Sequence, residues 1–457
     1  MIRIFDSLSG EKKELPNSRP LRLFVCGPTV YDFPHLGHAR TYVSFDTFVR
    51  YLKSQKIPVS YLQNITDVDD KIISRAKEQN ITPAKLAVNF EREYHKTEKI
   101  LNIKGIKYAR ATKHIPQIIK QIQTLIEKGH AYKIEGDGYY FDISTFPEYG
   151  KLSKRTAAAA EDATSRIDEG INKKNKGDFA LWKFSTEKPS WKTPLGQGRP
   201  GWHIEDTAIT EHYFGQQYDI HGGGIDLKFP HHEAEITQQE SASGKKPMVQ
   251  IWMHTGFLLI DGKKMSKSLQ NFITVNDFTK KYPVEALRLL INSNHYRSPL
   301  NYTAESAEQA NSALKRILKN IAALSFVKNK GALSEEIKNL IEKTGINFSG
   351  AMEDDFNAPK AIASIFELIN AIEPKIWKLN KNEASAIKKF INDKIPIFLG
   401  TALKPAKIPQ NIAKIAKERE LLRNSKQFAQ SDLLRKQAEG LGYIIEDTPI
   451  GPFVTKK

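Results

Sequence analysis

Between residues 21 and 79 the chain alternates short apolar runs with amphipathic ones: LRLFVC, YVSFDTFVRYL, PVSYLQNI and DKIISRAKEQ. Parallel strands need a crossover of a dozen or more residues, usually a helix, so this alternation predicts an α/β fold with a Rossmann-like parallel sheet. FEREYHKTEKILNI and IPQIIKQIQTLIEKGHAY carry helical spacing, whereas EGDGYYFDI reads as a hairpin that interrupts the series. Strand signals return at YDIHGGG and VQIWMHTG and close the sheet. From about Pro283 the pattern is helical to the end, through PVEALRLLINS, SALKRILKNIAAL, AIASIFELINAI and IAKERELLRNSKQFAQSDLLRKQAEGLG. The expected organisation is an α/β domain over 1–110 and 200–282, an insertion over 111–199, a helical bundle over 283–400 and a small final domain over 401–457. The middle of the insertion, TAAAAEDATSRIDEGINKKNKGD, is polar and aperiodic, which predicts a mobile loop near 156–177.

A chain of 457 residues with 40% hydrophobic side chains fills ordinary cores. No run of about 18 apolar residues occurs and the N-terminus lacks a signal-peptide core, so a soluble cytoplasmic protein without a membrane partner is expected. Lys and Arg number 69 against 52 acidic residues, a formal charge of +17 that suits a polyanionic partner; a generally basic surface produces the same number without one. The only cysteine, Cys26, cannot close an intramolecular disulfide and is inert packing, a nucleophile or a metal ligand.

Neither G-x-x-x-x-G-K-[ST] nor a G-x-G-x-x-G after a strand is present, so phosphates need another device. His35 and His38 stand three apart where a helix is expected to start, on one face and beside free backbone N–H groups. Two imidazole donors above a positive helix end can hold a triphosphate, and Gly37 between them leaves room for a nucleotide. Downstream, DGKKMSKSLQNF places Lys264 and Lys267 on a segment that reads as a mobile loop, where ammonium groups suit a departing pyrophosphate. Taken singly, HLGH is an ordinary helix start and the lysines are an ordinary surface turn.

Together, HLGH after a strand and KMSKS far downstream resemble the two signature motifs of class I aminoacyl-tRNA synthetases. CGPTVYDFPHLGHAR, NITDVDDKI, GRPGWHIE, HGGGIDLKFPHHE, MHTGFL, DDFNAP and the tail AQSDLLRKQAEGLGYIIEDTPIG narrow the resemblance to cysteinyl-tRNA synthetases over nearly the whole chain. The resemblance implies an enzyme that joins L-cysteine to ATP as cysteinyl-adenylate with release of pyrophosphate, then passes cysteine to the terminal ribose of tRNA(Cys). It implies a monomer, Mg2+ accompanying ATP, a connective domain at the insertion and anticodon recognition by the helical part.

It also implies one zinc ion that grips the substrate thiolate, with ligands at Cys26, Asp206, His231 and Glu235. The residue chemistry agrees for three of them: thiolate, imidazole and carboxylate are normal zinc donors, and His231 and Glu235 are four apart in a segment with helical spacing. Position 206 departs from the family, whose segment usually reads GWHIEC where this chain has GWHIED. Asp206 is expected as an oxygen ligand that preserves the charge but removes a soft donor. The alternative is a bracing or capping carboxylate beside a three-ligand metal, or no metal at all. By the same resemblance Asp226 meets the substrate ammonium, Thr66 and Trp202 lie near the amino acid, and Gly222, Gly223 and Gly224 let backbone approach adenosine. GPFV stands where an aromatic Trp often follows the acidic turn, and Gln270 where Gly is usual. The rival readings are a paralogue that joins cysteine to an amino sugar, a catalytically idle tRNA-binding protein and a metal-binding module.

Overall fold

The computed structural model describes residues 1–155, 172–265 and 271–457. The chain forms two compact units: Met1–Lys281 with Asn294–Thr303 and Glu353–Phe356, and Tyr282–Ser293 with Ala304–Met352 and Asn357–Lys457.

The first unit opens with a hairpin of β1 (Arg3–Asp6) and β2 (Glu11–Glu14), which the sequence pattern does not announce because EKKE carries no apolar residue. Then follow β3 (Leu21–Val25), α1 (Leu36–Ser54), β4 (Val59–Ile65), α2 (Asp70–Glu78), α3 (Pro83–Ile100), β5 (Ile106–Arg110) and α4 (Ile115–Glu127). Five antiparallel strands come next: β6 (Ala131–Ile134), β7 (Gly138–Phe141), β8 (Phe179–Phe184), β9 (Trp191–Thr193) and β10 (Gly196–Pro200), in spatial order β6-β7-β8-β10-β9. The chain returns to the first sheet with β11 (Tyr218–Gly224) and β12 (Val249–Thr255). That sheet is wholly parallel, ordered β12-β11-β3-β4-β5.

Leu21, Leu23, Phe24 and Val25 are all fully buried, as a central strand covered on both faces demands. Growth runs from β3 to β5 on one side and from β11 to β12 on the other, so the direction switches between β3 and β11. A crevice opens at such a point beyond the carboxyl ends of the strands, the usual place for ligands in open α/β sheets. Cys26 follows β3 directly and the glycine run ends β11.

A small sheet of β13 (Leu258–Ile260), β14 (Lys263–Lys264) and β15 (Leu300–Tyr302) completes the unit, with β15 parallel to β13. The expected helical run from Pro283 is therefore broken by a strand. DDFNAP lies at a unit boundary: Asp355 and Phe356 have φ of 60° and 50°, and the buried Asp355 carboxylate accepts from Phe5 N–H, the Tyr296 hydroxyl and the Arg297 guanidinium.

Beyond Val284–Asn292, the helices of the second unit span Ala304–Phe326, Glu335–Glu353, Ala358–Ile372, Lys381–Leu399, Gln410–Asn424 and Phe428–Gly440. Asn380 and Glu383 close a capping box on Lys381–Leu399, and Gly400 ends it in the left-handed region. Here the chain is not helical to its end. Tyr443–Thr448 (β16) and Gly451–Lys456 (β17) form an antiparallel hairpin after Gly442, and the buried Phe453 lies against Phe326 and Trp377. The GPFV departure is thus an apolar anchor. Among the described residues no helix is long and apolar enough to cross a membrane.

Candidate active site at the sheet switch point

A cleft of about 620 Å3 lies over the carboxyl ends of β3 and β11. Its lining includes Cys26, His35, Gly37, His38, Thr66, Trp202, Asp206, Gly224, Asp226, His231 and Lys264. Of the residues expected at the site, Lys267 lies outside the described residues, as do Gln270 and residues 156–171 of the expected loop.

At one end stands the α1 terminus. His35 is its N-cap: its Nδ1 accepts from His38 N–H at 3.3 Å, and His38 Nδ1 accepts from His35 N–H at 3.2 Å. The two rings stack at 3.8 Å. An imidazole that accepts at Nδ1 carries its proton at Nε2, so each ring keeps an Nε2–H donor. Burial lowers His35 to about 4 and pushes His38 well below its ordinary value, with the neighbouring His35 charge adding to the second shift. Near neutral pH these are uncharged donors beside the helix N-terminus, suited to phosphate oxygens. An added Cβ at Gly37 would lie 2.8 Å from the His35 ring, so glycine is required by the histidine itself as well as by any nucleotide. Lys264 and Met265 border the cleft, and Lys264 sits on the short paired strand β14, whereas a mobile loop was expected there.

Only Gly224 of the three glycines lines the cleft. A Cβ at Gly222 would overlap the Phe45 ring and one at Gly223 would meet His232 at 2.8 Å, so close packing under the sheet explains those two. Trp202 lines the cleft and stacks on His231 with centroids 4.4 Å apart. Thr66 donates to Glu205, and Asn64 donates to both Thr66 and Glu205 while accepting from Gly27 N–H at 2.5 Å. This network ties the ends of β3 and β4 to helix Ile204–Phe214, which carries Asp206.

At the cleft floor Cys26, Asp206, His231 and Glu235 place donor atoms within 4.8 Å of one another, and none is more than 4% exposed. His231 Nε2 stands 3.1 Å from Asp206 Oδ2 and 3.1 Å from Glu235 Oε1. The helix expected over HHEAEITQQE begins only at Glu233; His231 belongs to a π-turn at Lys228–His232, in which Phe229 is extended. The two side chains nevertheless meet, because the turn runs straight into the helix.

Asp206 Oδ1 and Glu235 Oε2 are buried without a hydrogen-bond partner. Buried carboxylates left so are costly unless a cation compensates them. Burial, then the charges of Glu235 and Asp206, push the Cys26 thiol well up; burial, then Asp206 and Glu205, do the same to Glu235. One divalent ion would relieve all of these at once, so the residues fit a metal, and Asp206 points into the group instead of away from it.

Sequence reasoning missed His221, His232, His254, His203 and Glu205, all buried around this floor. His203 Nδ1 lies 2.8 Å from His231 Nδ1. The available signal was histidine density: six of the 12 histidines (203, 212, 221, 231, 232 and 254) fall between residues 203 and 254.

A parallel sheet read at its switch point, a histidine-capped helix beside it and an antiparallel insertion define the class I aminoacyl-tRNA synthetase fold. The family described as tRNA synthetases class I (C) catalytic domain matches residues 13–312, and the DALR domain matches 347–398. The Mycobacterium tuberculosis methionyl-tRNA synthetase in complex with methionyl-adenylate superposes with a TM-score of 0.60 at 16% identity, covering 83% of this chain and 89% of that one. The ternary complex of Agrobacterium radiobacter K84 agnB2 LeuRS-tRNA-LeuAMS gives 0.63 at 11% identity, covering 84% of each. Cysteine--tRNA ligase of Caldicellulosiruptor saccharolyticus is 42% identical over the full length of both chains, and that of Thermococcus gammatolerans 41% identical over 98% of each. The chain belongs to the cysteine--tRNA ligase family of class I synthetases.

Proposed function

We propose that this protein activates L-cysteine with ATP to cysteinyl-adenylate and pyrophosphate and transfers cysteine to the terminal ribose of tRNA(Cys), in the cytoplasm. The observation that carries the reading is a single cleft with phosphate donors at one end and a buried Cys26, Asp206, His231 and Glu235 group at the other. The substrate carboxylate is already a nucleophile, so attack on the α-phosphorus needs no base; positioning and charge stabilisation suffice. His35 and His38 donate Nε2–H to the phosphate region, and Lys264 with Lys267 offsets the charge on the leaving pyrophosphate. Asp226 and Trp202 bound the amino-acid end. Mg2+ enters with ATP.

Cys26, Asp206, His231 and Glu235 would hold zinc, which supplies a thiolate partner that a serine hydroxyl does not match. Shape alone separates such near-isosteres weakly. The basic helical unit is assigned to tRNA, consistent with a charge of +17 and a DALR match. The test is cysteine-dependent ATP–pyrophosphate exchange on purified protein before and after chelation, with serine as control. Exchange that vanishes with the metal and returns with zinc supports the whole reading. Exchange that survives complete removal overturns metal recognition of cysteine, and no exchange at all overturns the enzyme.

A further inference from the structure

Behind the cleft floor lies a second donor set. His221, in the middle of β11, and His232, just before helix Glu233–Ser243, bring Nε2 atoms to 3.3 Å and 3.1 Å from Cys26 Sγ. Neither lines the cleft. Each engages a partner through its other ring nitrogen: His221 Nδ1 lies 2.6 Å from the Tyr218 hydroxyl, and His232 Nδ1 2.8 Å from His254 Nε2. Such outer contacts orient metal-binding imidazoles. Glu235 turns Oε1 toward His231 and the unbonded Oε2 toward His221 Nε2, at 3.5 Å. Cys26, His221, His232 and Glu235 offer donor atoms within 4.8 Å of one another, all buried. Tetrahedral zinc with bonds of 2.0–2.3 Å separates its ligands by roughly 3.3–3.8 Å, close to these spacings. A thiol has one weak donor and a weak acceptor, a poor match for two converging buried imidazoles.

We infer that Cys26, His221, His232 and Glu235 form an inner metal register, sharing Cys26 and Glu235 with the outer one, and that zinc rests there until substrate arrives. The inference rests on the reading that this chain holds zinc at Cys26. Donor chemistry decides between the registers. With Asp206 in place of a cysteine the outer set provides one sulfur, one nitrogen and two carboxylates; the inner set provides one sulfur, two nitrogens and one carboxylate. Zinc prefers the softer group. Binding takes the Cys26 thiol proton, which leaves to solvent. The outer register has three members on the cleft, so a substrate thiolate adds a second sulfur there and reverses the preference.

The test is zinc K-edge absorption and metal analysis on the zinc-loaded full chain without substrate, for the native protein, His232→Gln and Asp206→Cys. Two imidazoles and one sulfur per zinc are expected in the native protein. His232→Gln should weaken zinc binding about tenfold or more against a competing chelator, and Asp206→Cys should give two sulfurs and one imidazole. A single imidazole in the native protein, or native zinc affinity in His232→Gln, overturns the inner register while leaving zinc binding intact. A chain that retains no zinc overturns both. Should His232→Gln fail to fold, the native spectrum decides alone.

Discussion

Residue 206 carries the strongest consequence of a single side chain. Its Oδ2 meets His231 and its Oδ1 has no partner, so its charge is useful only to a cation. Asp206→Ala is expected to raise KM for cysteine about tenfold or more in zinc-loaded pyrophosphate exchange while substrate-free zinc affinity, measured by chelator competition, changes little, because the ligand lost belongs to the outer register and the inner donors remain. Asp206→Cys is expected to raise zinc affinity and to sharpen selection of zinc over manganese, read by metal analysis after mixed loading; unchanged selection would return Asp206 to a bracing role. At the opposite end His38 provides one preorganised donor. His38→Ala should reduce kcat for pyrophosphate exchange by about 10²–10³, the usual cost of one such donor, with a much smaller effect on KM for cysteine. Cys26, His231 and Glu235 were legible because the family motifs name them. His221 and His232 were hidden inside HGGG and HHE, where glycine and the first histidine draw the attention, and only the fold brings their Nε2 atoms to one sulfur.

Among the elements, α1 and β11 are built around constraints that their patterns do not reveal. Burial keeps His35 and His38 neutral at the α1 terminus, whereas both bind a proton near pH 6.5 when unfolded. The native state therefore binds fewer protons between about pH 4 and 6.5. Stability is highest above that window and falls as pH drops through it, by roughly 1.4 kcal/mol per unit at most for each group. Denaturant unfolding across pH 4–7 checks the sign; a flat profile would contradict neutral imidazoles. In β11, Gly222 faces the fully buried Phe45. Gly222→Ala should destabilise the protein by about 1–3 kcal/mol through overpacking, and Phe45→Leu in the same chain should recover part of it. The major helices were readable because long periodic segments bury one face, and β3, β4, β11 and β12 because strands covered on both faces read as short apolar runs; β5 carried no such signal. The β1–β2 hairpin, β15 and the β16–β17 hairpin were not readable. EKKE has no apolar pattern, LNY is too short to show a period, and YIIEDT with GPFVTK takes its register from Ile445 and Phe453 being buried.

At the scale of the whole molecule, net charge governs how the protein meets RNA. With +17 spread over 457 residues, affinity for tRNA should fall about tenfold or more between 50 and 200 mM salt, as counterion release requires; filter binding at several salt concentrations measures the slope. A slope near zero would remove the polyanion from the reading of the helical unit. Relatives spanning the full length of the chain accord with a reader of tRNA, and leave little place for a paralogue whose acceptor is a sugar. By itself the sequence determined the α/β class, the break to a helical second part, and the motifs that mark the family, because these depend on local period and on short runs of residue types. The tertiary structure alone decided which face each histidine presents, that Asp206 turns into the donor group, and that a second set of donors stands behind the first. Those outcomes depend on strands far apart in the chain meeting at one register, and no local pattern encodes that meeting.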